Sequence, residues 1–216
     1  MTLLLLVRHG HTDVAGRRLT GWLPGVHLSD RGREQAERLA ERLDGVPIAA
    51  VYSSPLERCL ETARPLAEAR GLAVRGRDDL GEIRFGAWTD RTLAQLRRTK
   101  LWRAVQTAPS TVRFPDGESY LEVQDRALRE VERIALAHPR DTVAVVSHAD
   151  VIRLLLAHFA GIHPDLFQRL VVDPASVSVV ALGDGPRVIH KVNDTGDLSA
   201  LKPRRRRRAG RAKVGG

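Results

Sequence analysis

The chain alternates between short, continuously apolar runs and longer stretches in which apolar side chains recur every three or four residues. Residues 3–7 form the first such run. It leaves no position to face solvent, which predicts a strand covered on both faces that ends at Arg8-His9-Gly10. After a loop containing Gly16, Gly21, Pro24 and Gly25, Ser29 is placed to cap a helix with Ala36, Leu39, Ala40 and Leu43 on its apolar face; Gly45 and Pro47 end it. A second strand, over 49–52, runs into Ser53-Ser54-Pro55-Leu56-Glu57-Arg58. There Ser54 and Glu57 spell a capping box, with Pro55 at the first helical position. Residues 142–146 repeat the arrangement, a strand passing through Ser147-His148-Ala149-Asp150 into an apolar helix over 151–159. Between them the pattern predicts a weaker strand around 72–75, an irregular stretch over 78–117 and a long amphipathic helix over 119–137. Strands over 177–182 and 188–192 close the series. This alternation argues for an α/β three-layer sandwich, a mainly parallel sheet with helices on both faces. Ligands of such sheets sit at the carboxyl ends of the strands.

A length of 216 residues suits one domain, and 43% hydrophobic with 28% charged residues is a globular balance, which disfavours wholesale disorder and a membrane protein. The opening apolar run is too short to span a bilayer and lacks a basic leader, so a cytoplasmic protein without a membrane span is expected. The net charge of +9 is concentrated at one end. Lys202, Arg204, Arg205, Arg206, Arg207, Arg208, Arg211 and Lys213 lie in the last fifteen residues, which hold no acid, and without them the balance falls to +1. We therefore expect a domain over 1–201 and a disordered basic tail over 202–216, with any weak polyanion binding confined to the tail.

The predicted strand ends deliver Arg8 with His9, Arg58, and His148. One parallel sheet would gather two guanidiniums and two imidazoles on one rim, a site for an oxyanion. Histidine is the basic side chain that can be a neutral nucleophile near pH 7 and then carry the transferred group.

With those residues in place, the opening LLLLVRHGHTD resembles the signature of the histidine phosphatase superfamily, the phosphoglycerate mutase-like family. YSSPLERCLETA is similar to its second arginine segment, LGEIRFGAWTD to its acidic segment, FPDGESYLEVQDR to its phosphatase-branch lid, and VVSHADVIRLLL to its second-histidine segment. The resemblance runs from Leu3 to about Asn193. It implies the phosphoglycerate mutase-like fold, with His9 as the nucleophile that becomes phosphohistidine, Arg8, Arg58 and His148 holding the phosphoryl oxygens, and Glu82 as acid and base. Thr12 and the Thr20-Gly21 turn match positions lining the family's phosphate pocket. The implied activity is that of a metal-independent phosphomonoesterase on small phosphorylated metabolites. A phosphomutase is the alternative on the same scaffold, and a non-catalytic scaffold acting through its tail is the alternative of another class. Ala15, Ile83 and Phe85 stand where mutases place polar ligands, which favours the phosphatase branch. Asp90 replaces the pattern's glycine after Trp88.

Neither a metal nor a cofactor is expected, because His27, His138, His158, His163 and His190 form no ligand spacing around His9 and His11. A cysteine-phosphatase loop needs an arginine six positions after the cysteine, and six after Cys59 is Pro65, so Cys59 reads as a buried helix residue. Trp22, Trp88 and Trp102 read as packing residues. The sequence around Arg84, Arg97, Arg98, Lys100 and Arg103 suggests a basic pocket wall, and no pattern specifies an oligomeric state.

Overall fold

In a computed structural model, which describes residues 1–196, six strands form one sheet: β1 (Thr2–Arg8), β2 (Ile48–Ser53), β3 (Val74–Gly76), β4 (Thr142–Ser147), β5 (Val177–Leu182) and β6 (Val188–Asp194). Their order is β3-β2-β4-β1-β5-β6. β3, β2, β4 and β1 run parallel; β5 is antiparallel to β1, and β6 is antiparallel to β5 and so aligned with the rest. The sheet is thus mainly parallel, as expected. The helices are α1 (Asp30–Arg42), α2 (Glu57–Glu68), α3 (Leu93–Leu96), α4 (Lys100–Thr107), α5 (Tyr120–Ala137) and α6 (Ala149–Phe159).

The unbroken apolar run of β1 has the physical reason its pattern suggested. Leu4 and Leu6 face a core shared with Val123, Ala127 and Val131 of α5 and Ile152 and Leu155 of α6. Leu5 and Val7 face a second core shared with Leu39 of α1 and Ala63 and Leu66 of α2. Side chains alternate across a strand, so a strand between two helical layers needs apolar groups at every position. Register then fixes the functional rim. Arg8 of β1 pairs with Ser147 of β4, and Ser53 of β2 pairs with Val146, so three parallel strands finish level with one another. His9, Ser54 and His148, the next residue in each case, come out side by side.

Two local expectations are corrected. α2 starts at Glu57, two residues after Pro55, and the Ser54–Glu57 capping box does not form. Both side chains are engaged elsewhere: Ser54 Oγ lies 2.9 Å from His148 Nε2, and Glu57 Oε1 accepts from the Gly25 amide at 2.9 Å. The stretch 78–117, expected to be irregular, contains α3 and α4. Thr92 and Gln95 cap α3 reciprocally, and Thr99 Oγ1 caps α4 by accepting from the Trp102 amide. Ser29 caps α1 as read, and Ser119 with Glu122 forms a capping box on α5. The expected boundary at residue 201 and the basic tail 202–216 lie outside the described residues. No helix among those described is long and apolar enough to cross a membrane.

Candidate active site

The segment after β1 is held from three sides. The His9 amide donates to the Ser147 carbonyl at 3.0 Å, tying it to β4, and the Gly10 amide donates to Thr62 Oγ1 of α2 at 2.9 Å. On the third side it lies directly on the first turn of α1. A Cβ on Gly32 would sit 2.1 Å from the His11 carbonyl oxygen, and one on Gly10 would sit 2.7 Å from the Gly32 carbonyl oxygen. This fixed backbone sets the ring of His9, whose Nδ1 lies 2.7 Å from the Gly10 carbonyl. A carbonyl only accepts, so Nδ1 carries the proton and the lone pair resides on Nε2. Burial, reinforced by Arg58 and Arg8, drives the pKa of His9 down to about 3, which keeps the ring neutral.

Around His9 stand the other residues singled out by the sequence. Arg58, in the first turn of α2, is 2% exposed and donates through Nη2 to the Gly21 carbonyl at 2.9 Å, with His148 Nδ1 at 3.3 Å. His148 occupies the N-cap position of α6, its side chain free of any capping bond, and is fully buried, its ring centroid 5.3 Å from that of His9. Burial and the nearby guanidiniums push its pKa well below the ordinary range, so it too is neutral. Arg8 donates through Nη1 to the Val172 carbonyl at 2.7 Å. Burial and Arg153 lower its pKa.

Three guanidinium nitrogens, Arg8 Nε, Arg58 Nη1 and Arg153 Nε, are buried with no hydrogen-bond partner among the described residues. Unpaired buried donors on charged groups are rare because each forfeits its hydration. Two of them flanking His9 define a place for an anion.

Glu82 completes the group from the segment between β3 and α3. Its Oε2 is 3.6 Å from His148 Nδ1 and its Oε1 accepts from the Ile83 amide at 3.0 Å. The backbone here is clamped. The Glu82 carbonyl accepts from Trp22 Nε1 at 2.6 Å and from Arg126 Nη2 at 2.9 Å, while Arg126 also pairs with Glu118. Burial, followed by repulsion from Asp150, raises the Glu82 carboxyl to about 7. A carboxyl poised there exchanges protons in both directions near neutral pH.

Residues 4–195 match the profile of the histidine phosphatase superfamily (branch 1). The chain belongs to this family. It is 32% identical over 197 residues to phosphoserine phosphatase 1 of Hydrogenobacter thermophilus, covering 90% of this chain and 93% of that protein. Mycobacterial relatives 36% identical over 203 residues, 91% of this chain, are longer, and the chain spans 55% of their length. Among solved structures, YhfR of Bacillus stearothermophilus superposes with a TM-score of 0.84 at 32% identity, over 93% of this chain and 100% of that one. The mycobacterial glucosyl-3-phosphoglycerate phosphatase, solved with VO3, gives 0.80 at 29%, over 88% and 98%.

Within this phosphatase-family site the three less specific positions differ in what they contribute. Gly21, at φ +50, orients Arg58 through its carbonyl, and a Cβ there would lie 3.0 Å from the Phe85 ring. Thr12 is buried and Thr20 half-buried; their carbonyls accept from Ala15 and Leu23 within the loop. Asp90 keeps the backbone of the glycine it replaces, at φ 63, a region aspartate tolerates better than most side chains, and it pairs with Arg18 at 2.7 Å. The expected basic wall is corrected: Arg84, Arg97, Arg98, Lys100 and Arg103 are all exposed, with Arg84 stacked on Trp22 at 3.8 Å from the ring centroid. Long cationic side chains keep their charge in water unless an acid partner draws them in. Cys59 is buried in α2, and burial pushes its thiol up to about 12.

Sequence patterning did not single out Ser54, Thr62, Gly32, Arg126 or Asp150 as parts of the site. Gly32 carried a usable signal, being a glycine in the first turn of a helix where a better helix former would otherwise be favoured. Gly32→Ala is expected to lower stability by about 1–3 kcal/mol in urea unfolding. It should also depress turnover beyond that loss, because the displaced backbone carries His9; an unchanged unfolding midpoint would mean that 9–11 yields freely.

Proposed function

We propose that the protein is a phosphomonoesterase that works through a phosphohistidine on His9 without a metal ion. The observation that carries this reading is the pair of buried, unpartnered guanidinium nitrogens of Arg8 and Arg58 beside a neutral imidazole whose free lone pair is on Nε2. A phosphoryl group placed there meets fixed positive charge on its equatorial oxygens and a nucleophile in line, the two things phosphoryl transfer most needs. His148, kept neutral by burial and the same cations, gains proton affinity once the dianion is bound, and the protonated ring then donates a hydrogen bond to the phosphoryl group.

The steps follow from the protonation states. His9 Nε2 attacks phosphorus as the ester P–O bond breaks, and protonated Glu82 delivers its proton to the departing alkoxide. Glu82, now a carboxylate, takes a proton from water as that water attacks phosphohistidine, which releases phosphate and restores both groups. The phosphatase names among the relatives support hydrolysis over isomerisation. So do Ile83 and Phe85, both buried and apolar where a mutase would place polar ligands. The test is phosphate release from a panel of phosphomonoesters with a chelator present, beside isomerisation of 3-phosphoglycerate with a bisphosphoglycerate primer. Hydrolysis is expected to dominate; primer-dependent isomerisation outrunning it would make the protein a mutase.

A further inference from the structure

We infer that the outer face of α1 and the basic chain end that follows β6 form one docking surface for double-stranded nucleic acid, held by its phosphates without regard to sequence. The surface lies beside the catalytic rim, extends beyond the tail to which the sequence confines polyanion binding, and does not depend on the phosphomonoesterase reading.

The path of the chain brings the two parts together. Asp194, the last residue of β6, pairs with Val177 of β5, which pairs with Val7 of β1, so the chain leaves the sheet at the level of the residue before Arg8. Arg42 of α1 ties this exit down: its Nε donates to the Gly196 carbonyl at 2.6 Å and its Nη2 to the Asp194 carbonyl at 2.9 Å. Lys202 follows six residues after Gly196, so its Cα lies within about 20 Å of that anchor by the reach of the backbone alone. Residues 202–216 hold eight cations and no acid.

Beside the anchor lies a groove of about 390 Å³ in which Arg31, Gln35, Arg38 and Arg42 face Asp173 and Thr195. The four positions on α1 follow one another at intervals of four, three and four residues, the repeat of a single helical face, and the arginines span about 16 Å along its axis. Arg42 is committed to the chain exit and to Asp194, and Gln35 to the His11 amide. Asp173 is engaged by Asn193 Nδ2 at 2.8 Å. Arg31 is exposed and makes no ion pair among the described residues. Arg38 has an exposed pair with Glu34 at 3.6 Å, a contact that contributes little in water and yields readily to a stronger partner. Two guanidiniums on a rigid helix are therefore available next to the point where the basic segment begins.

The chemistry of this surface selects the partner. Arginine forks match phosphate oxygens, and a run of cations this long is satisfied by phosphates in a row rather than by one small anion. The groove has no aromatic side chain on which an unstacked base could lie, so nothing in it favours a single strand. A duplex presents its phosphates outermost, at one charge per about 1.7 Å of axis. An anionic membrane is the weaker match, because residues 202–216 contain no Leu, Ile, Met or aromatic side chain to enter the acyl region.

The test is binding of the full chain to a fluorescein-labelled DNA duplex of mixed sequence, followed by anisotropy over a series of salt concentrations. Each phosphate neutralised contributes about 0.9 to the slope of log K against log salt. Replacing Arg31 and Arg38 together by Gln is expected to reduce that slope by about 1.8 and the affinity at about 0.1 M salt by about 60-fold. Arg31→Gln alone, which breaks no ion pair of the fold, should reduce the slope by about 0.9, and replacing Arg204, Arg205, Arg206, Arg207 and Arg208 by Gln should reduce it by about 4.5. A duplex of shuffled sequence should bind equally well, and the urea midpoints should be unchanged, which separates lost contacts from lost fold. A slope insensitive to both α1 variants would confine binding to the chain end and overturn the inference. So would the absence of duplex binding by the parent at low salt, a preference for one sequence, or tighter binding to phosphatidylserine vesicles than to duplex at equal phosphate.

Discussion

His9→Ala is expected to reduce phosphate release by about 10⁴-fold or more and to eliminate the acid-labile phosphoenzyme trapped by rapid quench. No neighbouring group can substitute for it. His148 presents Nε2 to Ser54 and Nδ1 to Arg58 and Glu82, and the Cys59 thiol, raised to about 12, is protonated at any working pH. The variant should still fold, because the backbone of 9–11 is held by its own amides and by Gly32 rather than by the ring. A pH signature separates this from general damage. The pKa of His9 falls on folding from its ordinary 6.5 to about 3, so the contribution of the neutral buried ring is present above 6.5 and is lost as the pH falls toward 3. The alanine variant lacks that titration and should lose less stability than the parent between those limits. Retention of most of the parent's turnover would remove His9 from the nucleophilic role.

Much of this site was legible because strand ends are easy to find in a sheet with apolar groups on both faces. The run 3–7 specifies β1, and Arg8 and His9 follow; the run 142–146 does the same for His148. Competition for side chains obscured the next level. Ser54 and Glu57 satisfy a capping rule, yet the ring of His148 and the amide of Gly25 are reached only through tertiary contacts 94 and 32 positions away, and those won. α3 and α4 leave little local pattern for a related reason. They are short, and the contacts that hold them, such as Trp102 on Trp88 and Leu96 in the core, are supplied by the rest of the molecule. Asp150 is the clearest case: its influence on Glu82 arises only because the turn after β4 faces the segment after β3, an adjacency that no local pattern encodes.

That adjacency leads to the second large effect. Glu82→Gln is expected to slow hydrolysis of alkyl esters by about 10² to 10⁴-fold and of p-nitrophenyl phosphate far less, because a good leaving group departs without a proton. Glutamine retains the size of the side chain and can still accept from the Ile83 amide, so the clamp formed by Trp22 and Arg126 on the backbone is preserved. The pH profile provides the second readout. Burial and Asp150 hold the carboxyl at about 7, so the acid form that donates the proton is populated below that value and depleted above it. With alkyl esters, kcat/KM of the parent should therefore fall as the pH rises through about 7, and Glu82→Gln should lack that limb. Asp150→Asn, which removes the like charge, should move the limb to lower pH without abolishing it. Equal losses on alkyl and aryl esters, with the limb unmoved in both variants, would assign Glu82 a structural role and leave proton delivery to another group.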